Sequence, residues 1–453
     1  MDDAVPREHT LDDLPELIRE AGVNKVLLVT GPSARHVELV RQLLAPIELE
    51  LFAGARRHVP EDVVAEAGRV LDASGAGVIV ALGGGSAIGL GKALVASRAL
   101  PFIALPTTYS GSERTSLFGT TKDGKKTTGR DPKVRPLHVI YDARLTADMP
   151  KSLMVTSLLN ALAHPLGALA SNALADEARA RALRAVTLVF GALSLLLENP
   201  SGARARAQAQ RGAALAADVL EGAKLGTHHA LAHRLGGACD LEHGALHSVL
   251  LPHSVQRMRD ETPELLAGIE AELHVLDFEA LLFDVLVRAG VPTSLKALGV
   301  SLAALEQVLK ATAEPDRALL RAAFHGRRPS RALRVEDFGL PELVAFTGPP
   351  LKDARRVVVA LHGRGATAES VIRRVLEIAG SDPTLAVVAP QATELAWYAA
   401  KYTSPRSEIG PALVNALEQA GTVLERVLAE CAPERVCLFG FSQGACLALE
   451  YVV

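Results

Sequence analysis

Short apolar runs alternate with helical spacings along the first 150 residues. KVLLVT (Lys25–Thr30) is a β-branched run that predicts a buried strand, and the spacing through Val37–Leu44 predicts a helix behind it. Residues 47–52 read as a second strand, and residues 60–73 as a helix with proline near its start. GVIVAL (77–82) is a strand that runs into glycines, and PFIAL (101–105) and HVIY (138–141) read as further strands. Strands separated by helices in this way predict a parallel sheet covered on both faces.

From about Pro150 the pattern changes. Residues 150–325 are rich in Ala, Leu and Arg at helical spacing, with few β-branched runs, which predicts an all-helical domain. Ser152 to Ala175 carries no Asp, Glu, Lys or Arg over 24 residues, long enough to cross a bilayer. It also holds Asn160, His164, Pro165 and Asn172, which lipid would penalise, so it reads as a buried helix of a soluble protein. Periodicity fails between roughly 326 and 350, where Pro, Gly and charge predict a linker. Strand–helix alternation then resumes: RVVVAL (Arg356–Leu361), LAVVA (385–389) and VCLF (436–439) read as buried strands, with a helix across 411–429.

Composition narrows the function classes. At 453 residues the chain holds two or three domains, and 49% hydrophobic residues supply their cores. The balance of 48 Lys+Arg against 51 Asp+Glu excludes the basic excess of a nucleic-acid binder. Four cysteines without C-x-x-C spacing imply a reducing compartment, and the acidic, polar N-terminus carries no secretory pattern, so a cytoplasmic location is expected.

Two segments predict a nucleotide site. GGGSAIGLGK runs from Gly83 to Lys92 between a strand and a helix, and Gly83, Gly84, Gly85 and Ser86 form its turn. Glycines let the backbone approach a pyrophosphate, although the run matches neither G-x-G-x-x-G nor G-x-x-x-x-G-K-[ST]. LPTTYSGSE (105–113) follows another strand and contributes Thr107, Thr108, Ser110 and Ser112. Hydroxyls at strand C-termini suit a nucleotide in the crevice of an open α/β sheet.

Six of the fourteen histidines fall between His228 and His253. His229 and His233 lie four residues apart, as do His243 and His247, and Asn160 and His164 repeat the interval. One such histidine reads as a satisfied core residue. This many in one domain predict a site, for a metal or for proton transfer to an anion.

On these motifs, residues 20–325 resemble the iron-containing alcohol dehydrogenase superfamily. The superfamily holds a metal on one Asp and three His. Its Asp-x-x-x-His pair falls on Asn160 and His164, its two later ligands on His229 and His243, and the histidine between them on His233. Asn160 removes the only carboxylate and leaves a neutral set that suits a hard divalent ion poorly. That departure, with Gly89 in the glycine run, KKTTGRDP (125–132), NALAH (160–164) and HHALAHRLGGACDLEHGALHSVLLPH (228–253), resembles the maleylacetate reductase subgroup.

The resemblance implies a Rossmann-like nucleotide-binding α/β domain over 1–150 and an all-α substrate domain over 151–328, the dehydroquinate synthase-like fold. It implies metal-free reduction of a conjugated C=C bond in a small dicarboxylate by NADH or NADPH, in a homodimer. His233, His243, His164 and His229 become the expected catalytic residues, and Asn160, Arg130 and Lys126 the expected substrate contacts. No metal, nucleic acid or membrane partner is expected.

After a linker at 329–350, residues 351–453 carry a second resemblance. LHGRGA (361–366) and GFSQGA (440–445) each follow a strand. The latter is a G-x-S-x-G nucleophile elbow with Ser442 on its turn, and the former supplies His362 and Gly363 where an oxyanion donor is placed. Both resemble the carboxylesterase/phospholipase branch of α/β hydrolases. Only 11 residues follow Ser442, with no His among them, so this part reads as a partial α/β-hydrolase segment without a complete triad. Two other activities compete with the reductase: a metal-dependent alcohol or polyol dehydrogenase with Asn160 as a ligand, and a serine esterase using Ser442. A degenerate, inactive fusion is the remaining alternative.

Overall fold

The computed structural model describes residues 6–452 apart from 124, 172–173, 224–225, 240, 276, 330–333, 337–342, 380–381, 383 and 401–403. The N-terminal domain comprises β1 (Arg7–His9), α1 (Leu14–Glu20), β2 (Lys25–Thr30), α2 (Val37–Leu44), β3 (Glu48–Phe52), α3 (Glu61–Ser74), β4 (Val78–Gly83), α4 (Gly85–Ala96), β5 (Phe102–Pro106), β6 (Leu117–Lys122), β7 (Lys125–Arg130) and β8 (His138–Ile140). Six strands form a parallel sheet in the order β1-β8-β5-β4-β2-β3. Its strands are buried on both sides, which is why they read as continuous apolar runs. Val63, Ala67, Ile88 and Leu94 of α3 and α4 cover one face, and Leu14, Leu17, Val37 and Val40 of α1 and α2 the other. The chain leaves β2 towards β3 and then crosses to β4 on the opposite side. The carboxyl ends of β2 and β4 therefore flank the point where the winding direction reverses.

Two departures from the sequence pattern concern this domain. Arg7–His9 forms the edge strand β1 beside β8, although REH has no apolar residue to announce it. KKTTGR, whose sequence carries no strand signal, is β7 and pairs antiparallel with β6 as a separate hairpin. Its residues are polar apart from Gly129, so it lacks the apolar alternation that marks a half-buried strand.

The helical domain runs through α5 (Lys151–Ala170), α6 (Asp176–Glu198), α7 (Ala203–Gly222), α8 (Thr227–Cys239), α9 (His243–Glu261), α10 (Pro263–Leu273), α11 (Phe278–Ala289), α12 (Leu302–Lys310) and α13 (Asp316–His325). Helices α5 and α6 are long and apolar enough to cross a membrane, but α5 is the core helix, surrounded by α6, α7, α8, α9 and α11. Met154, Leu158, Leu162 and Leu166 of α5 pack with Val189, Leu193, Leu251 and Val255 of α6 and α9.

Charged latches tie this domain to the first. The Arg114 guanidinium is 4% exposed and makes two bonds to Asp218 of α7, at 2.9 and 2.8 Å, and a third to Glu8 at 3.0 Å. One turn on, Glu221 accepts from the Ser116 amide at 3.1 Å and pairs with Arg130 and Arg135. Behind them the fully buried Lys92 ammonium donates to the carbonyls of Thr115 at 2.7 Å and Leu117 at 2.8 Å. Its desolvation pushes the amine down to about 7.

A third unit follows: β9 (Arg334–Glu336), β10 (Val344–Thr347), β11 (Arg356–Leu361), α14 (Ala368–Ala379), β12 (Leu385–Pro390), α15 (Arg406–Glu430), β13 (Val436–Gly440) and α16 (Gln443–Val452). Its sheet has the order β13-β11-β12-β10-β9, with β10 antiparallel to both neighbours. The expected linker at 329–350 thus contains two strands of this sheet. VAFT is too short to show alternation, yet all four residues are buried. Helix α15 starts five residues before the expected 411, with Pro411 inside its first turns.

Replacing Asp218 with Ala leaves Arg114 buried with Glu8 as its remaining carboxylate. The expected loss is about 3 kcal/mol, the lower end for breaking a buried ion pair from one side. Chemical denaturation of the full chain measures it, and a loss below about 1 kcal/mol would reduce this latch to an ordinary surface pair.

Candidate active site

The glycine turn and the β5 exit loop lie side by side, as expected for Gly83, Gly84, Gly85, Ser86, Thr107, Thr108, Ser110 and Ser112. The Thr107 amide donates to the Gly83 carbonyl at 3.0 Å. A Cβ on Gly84 would stand 2.9 Å from Thr108 Cγ2, so a larger residue fits there only if the Thr108 side chain shifts. Beside Gly85, by contrast, the nearest neighbouring atom to such a Cβ is Ser110 Oγ at 3.8 Å, and that buried hydroxyl has no partner within the fold. No side chain caps α4 at Gly84. Uncapped amides, an unpartnered hydroxyl and a backbone open to close approach fit a dinucleotide phosphate at the sheet's switch point. Ser112 sits further on, in a short 3-10 turn where its carbonyl accepts from Thr115.

The expected histidines come together. His164 lies on α5, His228, His229 and His233 on α8, and His243 and His247 on α9. Ring centroids are 5.1 Å apart for His164–His229, 4.7 Å for His229–His247, 4.9 Å for His228–His247, 4.2 Å for His243–His247 and 6.0 Å for His233–His243. Six rings therefore form one continuous chain. It runs from a buried end at His164, His228, His229 and His247 to an exposed end at His233 and His243. Glu242 caps α9 by accepting from the Gly244 and Ala245 amides, which fixes the start of the helix that carries His243.

His228 and His247 were not among the expected site residues. Their signal was in the sequence, in the four-residue interval from His243 to His247 and in the adjacency of His228 to His229. The remaining clustered histidine, His253, is buried further along α9 and makes no ring contact with the others.

Burial sets the electrostatics. Desolvation, reinforced by neighbouring imidazoles, holds His164 and His228 down to about 3 and pushes His229 and His247 well below the usual range. The electrostatic influences on these four rings all come from other histidines. Asn160 is buried beside them, and its Oδ1 has no hydrogen-bond partner within the fold. Neither do His164 Nδ1, both nitrogens of His229, and His247 Nε2.

Among the described residues no three His, Cys, Asp or Glu side chains converge in an arrangement that holds a metal ion. The donors at the positions that the resemblance assigns as ligands, Asn160, His164, His229 and His243, include no carboxylate, the group that a hard divalent ion favours.

One expected substrate contact stands apart from this cluster. Arg130 ends β7 and is committed to Glu221, bonding its carbonyl at 2.9 Å and its carboxylate at 3.1 Å. The spacing of KKTTGRDP could not show that partner, which comes from a helix 91 residues later. The side chain of Lys126 lies outside the described residues.

In the third unit, Ser442 stands on the turn from β13 to α16 with φ of +53°. A Cβ on Gly440 would overlap the Gly444 carbonyl, and one on Gly444 the Leu361 carbonyl, so both glycines of GFSQG are sterically required. β11 and β13 are neighbours, and the loops that leave them bring Gly363 against Ser442. His362 has a structural role instead. Its Nδ1 donates to the Gly363 carbonyl at 2.8 Å and its Nε2 accepts from the Ala392 amide at 3.0 Å, leaving neither nitrogen for the serine.

Acid should destabilise the protein through its buried imidazoles. His164, His228 and His253, each near 3 when folded, titrate near 6.5 once unfolded, so the unfolded chain binds more protons between those values. Stability is complete above pH 6.5 and is lost as pH falls. The expected loss at pH 5 is on the order of 2 kcal/mol per buried ring. Denaturant midpoints at pH 7 and pH 5 check this, and equal midpoints would show that the rings are not held neutral by the fold.

Comparison with known proteins agrees with this geometry. Residues 3–143 match the family described as iron-containing alcohol dehydrogenase, and residues 154–324 its C-terminal region. Maleylacetate reductase from Pseudomonas knackmussii is 36% identical over 336 residues, which is 71% of this chain and 95% of that protein. The crystal structure of maleylacetate reductase from Agrobacterium tumefaciens superposes with a TM-score of 0.66 at 37% identity, covering 72% of this chain and 98% of that one. A putative alcohol dehydrogenase from Ralstonia eutropha gives 0.68 at 34% identity, over 72% and 98%. Its parallel sheet and its helical domain match that family in both regions, and the chain belongs to the iron-containing alcohol dehydrogenase family of oxidoreductases.

Proposed function

We propose that the protein reduces the C=C bond of maleylacetate to give 3-oxoadipate, using NADH or NADPH and no metal, and that it works as a homodimer. The observation that carries this reading is the six-histidine chain with Asn160, and no carboxylate, at the family's ligand positions. The similarity to maleylacetate reductases supports the substrate.

A bound dinucleotide would supply the hydride for the double bond. Gly84, Gly85, Ser110 and the first amides of α4 would hold its phosphates. Hydride addition places negative charge on the conjugated ketone oxygen, and the product gains one proton at carbon. Imidazoles at the mouth of the cluster serve both needs: N–H groups bond the enolate oxygen, and one ring delivers the proton. His233 takes the donor role because it lies at the exposed end of the chain, next to His243. The buried rings remain neutral and keep water from the reacting atoms. After β2 the chain passes through Gly31, Pro32 and Ser33 to Arg35, with no acidic side chain to reject a 2'-phosphate.

The test is oxidation of NADH and of NADPH by maleylacetate, with and without chelator, alongside elemental analysis. Both cofactors should support turnover, chelator should leave it unchanged, and metal should be substoichiometric. His233→Ala should lower kcat by about 100-fold, the scale of a lost general acid. Stoichiometric metal with activity lost on its removal would favour alcohol dehydrogenase chemistry, and near-normal turnover of a folded His233→Ala would move the donor role to another ring.

A second reading applies to residues 334–452, where Ser442 on its left-handed turn supports a serine-hydrolase scaffold. Among the described residues no imidazole or carboxylate bonds to Ser442, and His362, the sole histidine of residues 330–453, is committed to backbone groups. Hydrolysis of p-nitrophenyl acetate should therefore be the same for the protein and for Ser442→Ala. A tenfold excess in the unsubstituted protein would mean that a base reaches the serine.

A further inference from the structure

The edge strand β1 has little burial to hold it. Arg7, Glu8 and His9 include no apolar side chain, and none of the three is buried. The strand docks through its parallel ladder to β8, through Glu8 at 3.0 Å from Arg114, and through a bond between two rings. His9 Nε2 lies 3.0 Å from His138 Nδ1, with the rings edge to face and their centroids 4.9 Å apart. Two ring nitrogens share a hydrogen bond only if one carries a proton and the other does not. Whichever ring donates, the accepting ring is neutral, so the bonded pair holds at most one positive charge. A second charge would protonate the accepting nitrogen, break the bond and set two imidazolium ions against each other. His138 is 9% exposed, and the charged groups that act on it are His9 and Arg7 of β1 and Glu20 of α1. Burial, His9 and Arg7 all disfavour its charged form, and Glu20 only partly offsets them.

We propose that His9 and His138 form an acid-released clasp, which docks β1 on the sheet at neutral pH and frees it when both rings are charged. Docked, the pair binds no more than one extra proton. Undocked, each ring titrates near its ordinary value of about 6.5, and the pair binds two. Docking therefore weakens as pH falls below that value. Release withdraws Glu8 from Arg114, leaving that guanidinium to Asp218, and uncovers the edge of β8. The charged latch between the first two domains is thus tied to solution pH through β1. Neither ring belongs to the six-histidine cluster, so the clasp is independent of the reductase reading.

The experiment is amide hydrogen exchange of the full-length protein at pH 7.5 and pH 5.5, corrected for the intrinsic rate at each pH. Protection of residues 7–9 is taken relative to that of β2, which reports acid destabilisation of the whole domain. This ratio should fall by about tenfold or more at pH 5.5, the scale of one extra proton bound one pH unit below its titration point. In His9→Gln, whose side chain can still hydrogen-bond but cannot become charged, the ratio should stay the same at both pH values. A ratio independent of pH in the unsubstituted protein, or an equal fall in His9→Gln, would overturn the proposal. If His9→Gln leaves β1 unprotected at both pH values, 15N-histidine titration of the unsubstituted protein decides. His9 and His138, assigned by loss of their signals in His9→Gln and His138→Gln, should take up their protons in separate steps. The second step should coincide with loss of β1 protection. Two rings that titrate together, or a second step that leaves β1 protected, would equally overturn the clasp.

Discussion

Imidazole is the side chain whose charge is most easily removed near neutral pH, and burial removes it here. At the junction of α5, α8 and α9, desolvation and mutual repulsion hold His164, His228, His229 and His247 uncharged. Neutral rings can pack at 4–5 Å from one another, whereas several imidazolium ions in the same volume would repel strongly. The helices that carry them bury apolar side chains as well, among them Leu158 and Leu162 of α5 and Leu251 of α9. Only His233 and His243 reach the surface. The chain of rings is thus buried at one end and open to solvent at the other.

The nucleotide side depends on backbone rather than on titratable groups. Gly84 lets the turn after β4 press against Thr108, and winding in opposite directions from β2 leaves an open crevice at the strand ends. What relates that crevice to the helical domain is a set of charged bonds that water cannot easily reach. Arg114 on Asp218 and Arg135 on Glu221 join loops of the first domain to α7, and the buried Lys92 ammonium holds the connecting loop from behind. Arg130 and Arg135 both pair with Glu221, so part of their charge is offset within the fold.

The third unit reuses the same topological logic on a different sheet. Helix α14 leads from β11 to β12 on one face and α15 returns to β13 on the other, so the loops after β11 and β13 meet at a switch point. Ser442 and Gly363 stand there because close approach excludes any side chain at Gly440 and Gly444. The left-handed turn at Ser442 is enforced by those contacts. His362 bonds the Gly363 carbonyl and the Ala392 amide, which leaves neither nitrogen for the serine.

Much of this was legible in the chain as written. Lys25–Thr30 and Arg356–Leu361 are strands with the bounds that their apolar runs imply, since a strand buried on both faces needs no partner to reveal it. The four-residue intervals among the histidines placed pairs on common helix faces, and Asn160 at a ligand position was visible without coordinates. Polar β7 and the three- and four-residue strands β1, β9 and β10 were not, because their existence depends on backbone pairing with distant segments rather than on side-chain periodicity. Nor could local spacing assign Arg130 to Glu221, or connect Ser254 through His228 to His247. Residue order decides which side chains share a helix face. Only the packing of α8 against α9 decides which ring nitrogen meets which partner atom.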